Sequence, residues 1–378
     1  MDGVSLKLLY FSRGYTTHDR RFLESFVASG FEVSYLRLIA QQLDQRNLPD
    51  GVDDLTWSAQ HSPLDSFSDY YHRFIALSEI LAGLKPDAVV AGPVQSAAFL
   101  VALTQYSPLI TMSWGSDLLV DSTKSLQMSE RTRFTLNRSA GALGDCQAVR
   151  DKIHSFTTMP DERIVTFPWG IDLQQFSPGP SALDIRQKLQ WERNPVLIST
   201  RTWEPLYSID VLVKGFASLV EQHPEARLLL LGDGSESKKI FDLIAELELS
   251  DFVHTPGRVG YELLPDYFRS ADLYVSSALS DGTSISLLEA MACGLPVVVS
   301  DSFGNKEWVK PLENGWLFSP GDSSALARAL GEALSNLPRL QTIKAANVEV
   351  ARSRANWNEN FPQLVGLIKR VTSEAQSA

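Results

Sequence analysis

The stretch LSDGTSISLLEAMACGLPVVVS, Leu279 to Ser300, decides how the chain reads. An apolar run from Ala271 to Ala278 ends at the turn Ser280-Asp281-Gly282. A compact helical segment follows, Gly294-Leu295-Pro296 stops it, and Val297-Val298-Val299 opens a second buried run. That order predicts a strand, helix, strand unit. In such a unit the loop at the carboxyl end of the first strand leads into a helix N-terminus. Unpaired backbone N–H groups and the helix dipole there favour an anion. Gly282, Thr283, Ser284, Ile285 and Ser286 supply that backbone, and most are small enough to let a phosphate come close. The helix itself is apolar nearly all round, through Leu287, Leu288, Ala290, Met291, Ala292 and Cys293, which predicts burial. Yet it carries Glu289. A buried carboxylate is costly unless something hydrogen-bonds it, and sugar hydroxyls are suitable donors. Asp281 precedes Glu289 in the loop, so two carboxylates flank one expected phosphate site. The competing reading is a buried helix whose Glu caps a neighbouring backbone N–H.

Outward from this unit, strands and helices alternate in both directions. Leu6 to Phe11 runs into Ser12-Arg13-Gly14-Tyr15, and helical spacing follows through Phe22, Leu23 and Phe26. Ala88 to Ala91 and Leu109 to Ser113 read as further short strands, while Gln41 to Ser68 reads as a polar, irregular loop. Phe176-Ser177-Pro178-Gly179-Pro180 reads as a linker. Pro195 to Ser199 then opens a second set, with Arg201 just past the strand end, where a planar guanidinium suits a diphosphate. The pattern predicts two doubly wound α/β domains, 1–178 and 179–355, followed by a last helix at 356–378.

The central stretch resembles the acidic-x7-Glu signature of retaining glycosyltransferases of the GT-B fold, family 4, also called glycosyl transferases group 1. The resemblance covers most of the chain. It implies two Rossmann-like domains facing a cleft, the first binding the acceptor, the second the nucleotide sugar, and a last helix packing back on the first. By the same resemblance, Asp281 stands where the family's first acid holds donor-sugar hydroxyls, although that acid is usually Glu. Glu289 stands where the second acid holds the ribose, and Arg201 and the 282–286 backbone where the diphosphate lies. Gly257, Arg258 and Val259 match the segment that holds the base, and Gly14 the first loop, which faces the cleft. Trp114-Gly115-Ser116-Asp117 is similar to a His-Gly-x-Asp segment near the reacting centre, with Trp114 in place of His and Asp117 as the site candidate. Family members also add a Lys about five residues after the Arg. Leu206 and Tyr207 stand there instead.

Composition bounds the partners. The 378 residues are 44% hydrophobic and 21% charged, as for a folded globular chain. Through Pro180, 15 Lys and Arg stand against 20 Asp and Glu, a balance of −5, and the remainder carries −6 of the net −11. Neither half is basic, so nucleic acid is not an expected partner. Arg131, Arg133 and Arg138 read as a solvated helix face. Two cysteines, Cys146 and Cys293, lie far from any paired spacing, and no run is long and apolar enough to cross a bilayer. These features point to the cytoplasm, with peripheral contact at the inner face of the membrane only through the acceptor.

The resulting expectation is a hexosyltransferase that moves a sugar from a nucleotide diphosphate sugar to a hydroxyl of a saccharide or glycolipid acceptor, with retention. By analogy with bacterial members of the family it serves cell-surface polysaccharide or glycoconjugate synthesis. No metal and no cofactor beyond the donor are expected, because no Asp-x-Asp or His cluster occurs. The rival readings are a non-catalytic nucleotide-binding partner subunit and a sugar nucleotide epimerase or phosphorylase on the same fold.

Overall fold

A computed structural model of the protein describes residues 5–42, 44, 46–61, 67–336 and 340–377. The chain divides into two compact units, Met1–Phe167 with Glu359–Ala378, and Pro168–Asn358.

The strands of the first unit are β1 (Lys7–Ser12), β2 (Glu32–Arg37), β3 (Val52–Leu55), β4 (Ala88–Ala91), β5 (Leu109–Met112), β6 (Gly141–Gly144) and β7 (Ile164–Thr166). They form one parallel sheet in the order β3-β2-β1-β4-β5-β6-β7. β4, β5 and β6 are buried along their whole length, which is why they read as unbroken apolar runs rather than alternating ones. The helix Thr17–Ala28 is started by a capping box, with Thr16 and Asp19 exchanging side-chain and backbone hydrogen bonds. It packs Phe22 and Phe26 against Tyr10 of β1. The same pair meets Phe361 of the last helix, Trp357–Ser377, with ring centroids 6.1 and 5.2 Å apart. Further along that helix, Glu374 pairs with Arg163 at 2.7 Å and Arg370 donates to the Glu162 carbonyl.

β3 corrects the reading of Gln41 to Ser68 as loop. Its sequence, VDDL, has no apolar alternation and its side chains are at most half-buried, so a sheet edge was not visible in it. Positions 43, 45 and 62–66 of that expected loop lie outside the described residues.

The second unit holds β8 (Val196–Ser199), β9 (Arg227–Leu231), β10 (Val253–Gly257), β11 (Leu273–Ser276), β12 (Val297–Ser300) and β13 (Gly315–Phe318). Its sheet is parallel, in the order β10-β9-β8-β11-β12-β13. One face is covered by Leu212, Phe216, Leu326 and Leu330, the other by Phe268, Leu287, Leu288 and Met291. Gly215 lets two helices meet, since a Cβ there would lie 2.8 Å from a Leu326 methyl. The chain runs outward from β8 to β10, then returns to β11 and runs the other way. That reversal puts a topological switch point between β8 and β11, and ligands in such sheets bind outside the carboxyl ends of those strands.

The expected joint at 178 is too late. Phe176 is buried in the second unit's core against Tyr261 and Phe268. Arg269 holds the segment that reads as linker by donating to the Gln175 and Ser177 carbonyls at 3.0 and 2.9 Å. Pro and Gly mark a turn here, not a free hinge.

Candidate functional site

Every loop at the switch point of the second unit is held by its neighbours. After β9, Gly232 adopts φ +115° and sits so close to the Arg201 carbonyl that a Cβ would fall 2.4 Å from it. Trp203 donates from its ring N–H to the Leu231 carbonyl and from its backbone to that of Asp233. Gly232 in turn donates to the Gly257 carbonyl at the end of β10. After β12, Gly304 abuts the loop after β11, a Cβ there falling 1.7 Å from the Gly282 carbonyl oxygen.

This frame brings Arg201, Asp281, Ser284 and Ser286 together. The Arg201 guanidinium is 2.8 Å from the Asp281 carboxylate, and donates to Ser284 Oγ at 2.6 Å and Ser286 Oγ at 3.1 Å. The two charged side chains are only 10% and 17% exposed. Tyr274 of β11 shares a hydrogen bond with Ser286 Oγ at 2.7 Å, closing a hydroxyl network beneath the arginine. Burial pushes the Asp281 carboxyl above its usual range while the arginine and the Ser284 hydroxyl pull it down. Burial opposes the Arg201 charge most strongly, but the Asp281 carboxylate together with Tyr207 and Tyr274 outweighs it, so the guanidinium stays protonated.

Ser284 stands at the N-cap of the helix Ile285–Ala292 but makes no side-chain cap; its hydroxyl accepts from Arg201 instead. The first N–H groups of the helix are thereby left to another acceptor. Glu289 lies in the middle of that helix, 4% exposed. Near the same strand ends, the buried hydroxyls of Ser199, Thr200 and Ser276 and the Arg201 Nε have no hydrogen-bond partner among the described residues. Each such group costs on the order of 1–3 kcal/mol until a ligand or water engages it.

Tyr207 is the residue that sequence reasoning missed. Where a second cation was looked for, its ring lies under Arg201, with the guanidinium carbon 4.2 Å from the ring centroid. An aromatic at this position was visible in the sequence, but its stacking on a residue six positions earlier was not. Leu206 is half-buried and fixes the loop after β11 through its carbonyl, which accepts from Leu279 N–H at 2.8 Å. Gly257 has φ +78°, Val259 is half-buried against the core, and Arg258 is exposed. The Arg258 charge is shared with Glu204 and Asp233. Hydrogen bonds from Ser235 and Ser237 respectively hold those carboxyls below the usual range, and Arg258 adds to both effects.

In the first unit, the site candidate Asp117 is engaged by its own loops. Its two oxygens accept from Val94 N–H, Ser113 Oγ, Trp114 N–H and Leu118 N–H at 2.7 to 3.0 Å, and it is 5% exposed. Four bonds fill a carboxylate's capacity, so the group ties the loops after β4 and β5 together. The Gly14 carbonyl is likewise occupied, accepting from Tyr35 and Ser12 hydroxyls, and a Cβ at Gly14 would strike the Gln41 carbonyl. Among the described residues no three His, Cys, Asp or Glu side chains cluster as metal ligands, and no helix is long and apolar enough to cross a membrane.

Residues 182–349 match the family of glycosyl transferases group 1. The D-inositol 3-phosphate glycosyltransferase of Thermobispora bispora is 28% identical over 214 residues, 54% of this chain and 50% of that protein. This chain thus spans about half the length of that relative. Among solved structures, sucrose-phosphate synthase from Thermosynechococcus elongatus superposes with a TM-score of 0.82 at 18% identity, covering 98% of this chain and 100% of that one. HepE of Anabaena in complex with UDP-glucose superposes with a TM-score of 0.77 at 19% identity, over 99% and 100%. At such identities the likeness is one of fold, and the fold is GT-B.

Proposed function

We propose, from the match of residues 182–349 to the family of glycosyl transferases group 1, that this protein is a retaining glycosyltransferase using a nucleotide diphosphate sugar. The observation that carries the reading is the buried cluster of Arg201, Asp281, Ser284 and Ser286 at the switch point, with Glu289 on the helix that begins there. A diphosphate at the N-terminus of Ile285–Ala292 receives backbone N–H groups and the guanidinium. The negative charge that develops on the leaving group is stabilised by donors already fixed in place. Asp281 and Glu289 accept hydrogen bonds from sugar and ribose hydroxyls, respectively, and position the donor rather than exchange protons. Gly257 to Val259 meet the base through the backbone. A donor-side oxygen takes the acceptor proton, and the acceptor is a saccharide or glycolipid hydroxyl. We assign the reaction to cell-surface polysaccharide or glycoconjugate assembly, and no metal to it. HepE is described in complex with UDP-glucose, which supports a nucleotide sugar donor here.

The test is ligand-induced thermal shift with UDP, GDP, ADP and CMP on the parent, Arg201→Ala and Glu289→Ala. A ligand at a hundredfold its Kd adds about 2.7 kcal/mol to the native state. One nucleotide should shift the parent and neither variant. Absence of any shift would overturn the reading.

A further inference from the structure

The second unit has a cavity of about 550 Å³ at the amino ends of β11 and β12, the opposite ends from the Arg201 cluster. It is bounded by Pro178 and Gly179, by Cys293 to Leu295, and by one face of the helix Leu340–Arg354. Lys344, Val348 and Arg352 of that helix are four residues apart, so they share the face that borders the cavity. Its charge is lopsided. Arg269 is engaged by the Gln175 and Ser177 carbonyls, with Asp266 3.7 Å away. Lys344 and Arg352, by contrast, enter no ion pair with any described residue, and Glu349 is the only acid on the lining. Two unpaired cations against one acid around a cavity concentrate anions, and stand out in a chain of net charge −11. The Cys293 thiol on the wall is kept neutral, pushed up to about 12 by burial, so it adds no negative charge. The volume exceeds what inorganic phosphate alone would fill and falls in the range of small-molecule sites.

We propose that this cavity is a second binding site, separate from the donor site, for a small molecule bearing a phosphate group, held by Lys344 and Arg352. The helix Ile285–Ala292 and its C-cap connect the two regions: Ser284 at its start touches Arg201, and Cys293 and Gly294 at its end border the cavity. A ligand here therefore has a direct route to the donor loop.

The test is calorimetric titration with two probes, glucose 6-phosphate and inorganic phosphate, on the parent, on Arg201→Ala and on the double variant Lys344→Gln, Arg352→Gln. The expected result is binding of glucose 6-phosphate that survives Arg201→Ala unchanged and is about tenfold weaker in the double variant. Inorganic phosphate competing only weakly identifies a phosphorylated organic molecule as the ligand; equal binding by both identifies free phosphate. Both substituted side chains border solvent, so circular dichroism should show the parent fold. Binding of neither probe, binding lost in Arg201→Ala, or binding unchanged in the double variant would overturn the proposal.

Discussion

Arg201 and Asp281 face one another across the ends of β8 and β11 at 2.8 Å, so the cation and the acid expected to hold different parts of a donor hold each other. Removing one member of a buried pair leaves the other uncompensated, at a cost of about 3 kcal/mol. Arg201→Met should therefore lose roughly that much stability at pH 7. The loss should shrink as pH falls and the raised Asp281 carboxyl takes a proton, and Arg201→Met with Asp281→Asn should recover most of it. Denaturant titration of the parent and the two variants at pH 7 and at lower pH measures this. Equal losses in the single and double variants would mean that the pair is not coupled.

Tyr207 carries the second prediction. Its ring under the guanidinium should be worth about 0.5–2 kcal/mol to the arginine's placement. Tyr207→Leu should weaken nucleotide binding by roughly twofold to thirtyfold, and Tyr207→Phe should retain it. Leu206→Lys should instead strengthen binding in a salt-sensitive way, by adding the cation that the loop lacks.

Asp117 gives a prediction of the opposite kind. With four hydrogen bonds ending on its carboxylate, Asp117→Ala should cost about 3 kcal/mol or more in unfolding free energy. Nucleotide affinity of the folded variant should stay at the parent value. A fall in affinity without loss of stability would return Asp117 to the list of site residues.

Asp19 should show in the pH profile of stability. Buried beneath Tyr10 and Thr16, its carboxyl is pushed up to about 6 from 3.8. The native state then holds a proton that the unfolded chain gives up more readily. Its stabilising effect is complete below pH 3.8 and is lost as pH rises through about 6. Relative to Asp19→Asn, the parent should lose about 2–3 kcal/mol across that window. A constant difference between the two would contradict it.

Gly304→Ala should be among the least tolerated changes near the site, since the new methyl would meet the Gly282 carbonyl 1.7 Å away. Overpacking of this kind costs about 1–3 kcal/mol. Here it should also displace the loop that carries Asp281 and so abolish the nucleotide-induced thermal shift.

The strand, helix and strand around the candidate site were legible because their signals are local. Gly282, the apolar helix around Glu289 and the triple valine after Pro296 specify a strand, helix and strand by residue type alone. The four donors around Asp117 were hidden because sequence names a carboxylate without saying what surrounds it. The Arg201–Asp281 pair was hidden because two residues with separate expected tasks meet only when β11 returns beside β8. The strand Val52–Leu55 was hidden because a partly exposed edge need not alternate.

The placement of Phe361 has a consequence for synthesis on the ribosome. Phe22 and Phe26 emerge early, yet the ring they pack against is translated only after the whole of Pro168–Asn358. The second unit can thus complete its core first, while the first waits with an apolar face uncovered. A nascent chain stalled before residue 359 should expose those phenylalanines to chaperones and proteases, although most of its own unit has already been made.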